Sequence, residues 1–175
     1  MDDKNIWAFL YKELAKMSTA IKAYDKIFRN IEIKKNRYNQ FFSLILDIFT
    51  RYICLTLAIF FDQRNDSWSL YKFPSIKKEE VDLIKTKASH FLELRHLQFA
   101  HLAKQITHLS NFTYLTLNGV EKIGAIIGDI RKILDQVSNL NNWKESYFLD
   151  RQDINYSLDC LIDDLKNKVK LYGKE

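Results

Sequence analysis

Glycine and proline are scarce, four and one among 175 residues, against roughly 12% together in average usage. So few turn-formers deny the chain the tight hairpins that sheets need, which excludes a hairpin-rich β fold and points to a few long helices. Cysteine is nearly absent as well. Cys54 and Cys160 each lie inside an apolar run, with no second cysteine or histidine at metal spacing. A disulfide framework or zinc site is therefore excluded, and two buried free thiols in a reducing cytosol are expected. A strong charge imbalance is missing too: 27 basic and 22 acidic side chains leave a net +5, compatible with nucleic acid without demanding it. The opening MDDKNIWAFLYKEL has acids first and scattered lysines, not the basic-then-apolar order of a secretory signal, so a cytoplasmic location is expected.

With 47% apolar and 28% charged residues, the chain has enough apolar side chain to pack one core over residues 1–175, as a single domain without linker, internal repeat or low-complexity tail. The periodicity predicts an all-α, up-and-down bundle of four to five helices. Ile6, Leu10, Leu14, Met17, Ile21, Tyr24 and Phe28 recur at three- and four-residue steps, predicting a first helix over about Asp3 to Arg29. After the basic Lys34-Lys35-Asn36-Arg37, a second helix to about Asp62 is apolar on most faces, which predicts a place at the centre of the bundle. Asn65 to Leu70 reads as a turn with a short helical piece, and Pro74 punctuates it. Ser75 is then expected to cap a third helix whose first turn carries Glu79 and Glu80. Thr107 to Thr116, poor in charge and rich in Thr, Ser and aromatics, reads as a loop or short extension. A fourth helix, about Asn118 to Leu140, aligns Val120, Ile123, Ile127, Ile130, Leu134 and Val137, and Gly124 with Gly128 is expected to admit a close neighbour. A fifth, about Asp150 to Leu171, aligns Ile154, Leu158, Leu161, Ile162, Leu165 and Val169.

Phe41 to Phe61 is long enough to span a bilayer, yet Asp47 and Arg51 stand near its middle. Each is costly in lipid, whereas four residues apart on a helix they form an ion pair. A helix covered by protein, with no membrane partner, is the expectation.

The third helix carries the chemistry. Its stripe runs Val81, Ile84, Ala88, Phe91 and then Arg95, in the segment Leu94-Arg95-His96-Leu97-Gln98-Phe99-Ala100-His101-Leu102-Ala103-Lys104. A guanidinium taken out of water costs several kcal/mol unless paired, so either Asp47 or Asp62 meets Arg95, or the seam opens there. An arginine holds two phosphate oxygens in a fork and an imidazole moves protons near neutral pH, the pair needed for metal-independent RNA cleavage with no cofactor. On a straight helix, positions six apart lie about 120° from each other, so Arg95 and His101 meet only through a helix break or a two-fold partner. His101, Lys104, Gln105 and His108 form a polar face suited to an RNA backbone, or simply a solvated face.

Arg95, a polar His96, then His101 resembles the arginine, four-to-six-residue gap, histidine motif of the HEPN superfamily. LRHLQFAHLAK is similar to the version in AbiU-type abortive-infection proteins, and LTLAIFFDQRNDSWSL, Leu55 to Leu70, resembles the end of that family's long apolar helix. The resemblance implies a helical homodimer whose two motifs face one cleft, and metal-independent endoribonuclease activity. It also implies toxin–antitoxin or phage-defence settings, sometimes with a nucleotidyltransferase-like antitoxin. Carried over, Arg95 and His101 match the two fixed positions and His96 the polar one between them. Leu102-Ala103-Lys104 departs from the small polar residue and acid that follow the histidine in similar proteins. The rival readings are a non-catalytic HEPN-like module that binds protein or nucleotide, and a purely structural bundle with Arg95 paired to a buried aspartate.

Overall fold

The computed structural model describes residues 2–30, 39–99 and 115–143, together with positions 160 and 163. These residues form four α-helices and no strand: α1 (Asp3–Asn30), α2 (Asn39–Phe60), α3 (Lys78–Phe99) and α4 (Leu117–Leu140), with a single 3₁₀ turn at Leu70–Lys72. The architecture is an all-α helical bundle, as the shortage of turn-formers requires.

The α1 stripe is buried along its length, from Ile6, Leu10 and Leu14 through Met17 and Ile21 to Tyr24, and Phe28 is partly buried. Two polar side chains on that stripe set its relation to α4. The Trp7 indole N–H donates to the Leu134 carbonyl at 2.9 Å, and the Tyr24 hydroxyl donates to the Leu115 carbonyl at 2.9 Å. The early residue of α1 meets the late part of α4 and the late residue meets its start, so the two helices are antiparallel. Eight residues, 31–38, join α1 to α2, with which it is packed. They reach at most about 28 Å, whereas returning along α1 for a parallel arrangement needs about 42 Å. Helix α2 therefore also runs antiparallel to α1. Each helix packs on its two neighbours, α1 on α2, α2 on α3, α3 on α4 and α4 back on α1.

That closed ring has no central helix, and this overturns the expectation for α2. Ile53, Cys54, Leu57 and Phe60 are buried, while Phe41, Leu44, Ile48 and Leu55 stay exposed on its outer side. The expected ion pair is present, with Arg51 Nε donating to Asp47 Oδ2 at 2.6 Å. The window Gln40–Phe60 is the one helix among the described residues long and apolar enough to cross a membrane, and 56% of it is buried inside the bundle.

Local chemistry sets most helix boundaries. Thr116 caps α4, its hydroxyl accepting from the Gly119 amide at 3.1 Å. Ser67 donates to the Arg64 carbonyl at 2.7 Å and so pins the turn that leaves α2, and Trp68 packs edge-on against Phe9 of α1. Ser75 does not cap α3. It lies in the turn after Pro74, and the helix begins three residues later at Lys78 with Glu79 and Glu80 in its first turn, as expected. Among the described residues Gly124 and Gly128 meet no close neighbour, since a Cβ built at either one touches nothing within 4 Å. The apolar stripe of α4 faces the core, and these glycines sit off that stripe. The fifth expected helix lies outside the described residues except for Cys160 and Asp163, both helical and both exposed.

The two cysteines therefore differ. Cys54 is buried and desolvation pushes its thiol up to about 12, whereas Cys160 is exposed, against the expectation of two buried thiols. A thiol reagent at mildly alkaline pH is expected to label one cysteine per chain, Cys160, in the native protein and both after unfolding; rapid labelling of Cys54 in the native state contradicts the burial described. Since the space beside Gly124 is open, Gly124→Ala is expected to raise the unfolding free energy by about 0.5–1 kcal/mol through helix propensity, measured by urea denaturation.

Candidate functional site

The core-facing residues of α3 are Val81, Ile84, Ala88 and Phe91, all buried. Beyond Phe91 the helix continues for two more turns, in which Leu92 and Leu94 are partly buried. Arg95 falls within the same angular sector as the buried residues at about 100° per residue, yet its side chain is exposed. The seam turns polar where α3 leaves the core. The cation is consequently solvated and needs no buried carboxylate, which removes the expectation of a buried guanidinium.

Both expected partners of Arg95 are engaged elsewhere. Asp47 is 5% exposed and holds Arg51. Asp62 is gripped by Arg64, whose Nη2 donates to Oδ2 at 2.8 Å and whose backbone amide donates to Oδ1 at 3.0 Å. These bonds, with smaller contributions from the positive charges of Arg64 and Arg95, hold the Asp62 carboxyl below its ordinary value. Arg95 thus lies within electrostatic reach of Asp62, and among the described residues it makes no hydrogen bond or ion pair. Its fork remains available to an anion.

His96 belongs to the backbone of α3, in the turn after Arg95. His101, Lys104, Gln105 and His108 lie outside the described residues, so the described part of the motif consists of Arg95 and the backbone of His96. No cluster of three or more histidine, cysteine or carboxylate side chains able to hold a metal occurs among the described residues.

Sequence reading did not single out the cleft where the turn after α2 meets the start of α3. It has a volume of about 330 Å³ and is lined by Gln63, Leu70, Tyr71, Ile76, Lys78 and Val81. Tyr71 at its wall donates to Asp82 Oδ1, and burial with that bond pushes the phenol up to about 12, so it stays protonated and acts as a fixed donor. The cleft sits at the first turn of α3, about 21 Å along the helix from Arg95. Gln63 of its lining adjoins Asp62, the carboxylate within electrostatic reach of Arg95. No signal in the sequence pointed to the cleft beyond the mixture of turn residues and aromatics between Asn65 and Pro74.

Comparison with known protein families, characterised proteins and solved structures found no match to this chain.

Because its folded value is depressed, Asp62 contributes stability that is fully present above its unfolded value of about 3.9 and lost as pH falls through the folded value. In pH-dependent denaturation, Asp62→Asn is expected to be less stable than the wild type by a constant margin from pH 5 to 7, narrowing below about pH 4. A margin that persists unchanged into acid would assign the loss to something other than the carboxylate.

Proposed function

We propose that this chain is a metal-independent endoribonuclease of HEPN type, working as a homodimer in the cytoplasm and serving as the toxin or effector of a toxin–antitoxin or phage-defence system, with a nucleotidyltransferase-like antitoxin as a possible protein partner. The observation that supports this reading is the placement of Arg95: exposed on α3, with no hydrogen bond or ion pair among the described residues. A guanidinium so placed is ready to take two oxygens of a phosphodiester. The resemblance of LRHLQFAHLAK to the HEPN motif supplies the second group, His101.

In the proposed reaction His101 accepts the proton of a ribose 2′-hydroxyl as its oxygen attacks the adjacent phosphorus. The bond from phosphorus to the 5′-oxygen breaks, and that oxygen takes a proton as it leaves. The products are a 2′,3′-cyclic phosphate and a free 5′-hydroxyl. Arg95 stabilises charge on the equatorial oxygens, His96 assists, and Lys104, Gln105 and His108 hold the RNA backbone. The homodimer would bring Arg95 and His101 into one cleft, since one straight helix keeps them about 120° apart.

A second reading, a non-catalytic HEPN-like module that dimerises and holds a protein or nucleotide, is favoured by one departure, Leu102-Ala103-Lys104 in place of a small polar residue and an acid. Incubation of the purified protein with total RNA in the presence of a chelator separates the two. Arg95→Ala and His101→Ala are each expected to reduce single-turnover cleavage by at least a factor of about 100, in the range typical of lost charge stabilisation or proton transfer, with helical content unchanged. Cleavage retained in both variants overturns the nuclease reading, and no cleavage by the wild type selects the binding module.

A further inference from the structure

Helix α2 carries an apolar stripe that nothing among the described residues covers. Phe41, Leu44, Ile48 and Leu55 are 57%, 47%, 52% and 46% exposed. At about 100° per residue they fall within an arc about 60° wide, and their steps of three, four and seven are those of a heptad seam. Together they present roughly 400 Å² of apolar surface, at the level where a contiguous patch marks an interaction site rather than ordinary surface.

We propose that this stripe is the two-fold interface of a homodimer in which α2 packs antiparallel on α2 of a second copy, with the axis passing beside Ile48. This contact is distinct from the two-motif cleft that the endoribonuclease reading invokes, because Asp62, near which Arg95 stands, lies fourteen residues beyond Ile48. The contact rests on α2 alone and stands whether or not RNA is cut.

The spacing carries the choice of partner. Phe41 and Leu55 are each seven residues from Ile48. Antiparallel pairing about Ile48 therefore sets Phe41 against the partner's Leu55 and Ile48 against the partner's Ile48. An interface on a two-fold axis must be complementary to itself, and this pairing meets that condition, with Leu44 set against the partner's half-buried Tyr52. The size fits as well. Two such stripes with their half-buried borders, Ile45, Tyr52 and Ile59, approach the roughly 1,200 Å² at which specific interfaces begin. The one cation on the seam brings its own counter-charge, because Arg51 is held by Asp47 at 2.6 Å. Each copy thus enters the contact with that charge already paired.

Full-length protein at micromolar concentration, free of RNA, is expected to have twice its chain mass of 20.8 kDa by light scattering coupled to size exclusion. Ile48→Glu is expected to weaken the dimer at least a hundredfold, giving monomers of unchanged helical content, because position 48 is not part of the core. In a Cys160→Ser background, Ile48→Cys is expected to form a disulfide between copies on mild oxidation, whereas Leu83→Cys, equally exposed on α3, is not. A monomeric wild type overturns the proposal, whether its α2 is protected from hydrogen exchange by its own C-terminal segment or the protein floats with anionic liposomes through that stripe. A dimer that survives Ile48→Glu, or in which Ile48→Cys fails to cross-link, also overturns it. Because no RNA is present, loss of the dimer in Ile48→Glu is read separately from loss of cleavage in Arg95→Ala.

Discussion

The bundle depends on how α1 is held against α4. Trp7 and Tyr24 lie on the buried face of α1, seventeen residues and about 25 Å apart along the helix. Each brings a large ring into the core together with one polar hydrogen that must be satisfied there. The Leu134 and Leu115 carbonyls accept those hydrogens, one at each end of the seam. Each bond is worth only about 1 kcal/mol net, but leaving either donor buried and unpaired costs more, so sliding α1 by a turn is penalised at both ends together. Burial of Leu10, Leu14 and Met17 between them supplies the larger driving force, and the two hydrogen bonds supply register.

With α1 and α4 fixed, the remaining helices have limited choices. Helix α2 has more apolar surface than one side of a ring of four can cover. Its inner side buries Phe42, Leu46, Ile53, Leu57 and Phe60, and two of its polar side chains are satisfied within the helix: Thr50 donates to the Leu46 carbonyl at 2.8 Å and Arg51 closes on Asp47. What is left is a seam of four exposed apolar residues with heptad spacing. An apolar sequence that looked like a central helix is, in three dimensions, a helix with two apolar sides.

Helix α3 is the converse case. Its inward stripe is buried and apolar as far as Phe91, and the next residue on that stripe is the exposed Arg95. The Lys87 ammonium reaches Asp129 of α4 at 2.7 Å and ties the middle of the helix down. Beyond it Arg95 extends into solvent near the negative charge of Asp62, itself clamped by Arg64. An exposed cation on a helix costs little in stability and is accessible to an anion. The chemistry proposed for the chain draws on that property.

The helices were legible because their signal is local. Stripes such as Ile6 to Tyr24 and Val120 to Val137 repeat at helical period, and the same residues are buried in the bundle. The ion pair of Asp47 and Arg51 was legible for the same reason, since residues four apart on a helix are neighbours whatever surrounds them. The residue types of the candidate site were readable too, but not the solvation of Arg95, whose angle on α3 is that of a core residue. Exposure depends on where the neighbouring helices stop. The open space beside Gly124 and the uncovered side of α2 were likewise invisible in one dimension. Sequence by itself therefore determined which segments are helical and which face of each is apolar, because those follow from contacts three and four residues apart. Only the tertiary arrangement decided which apolar faces are covered and which charges meet water, because those depend on helices distant in sequence and on the closed ring they form.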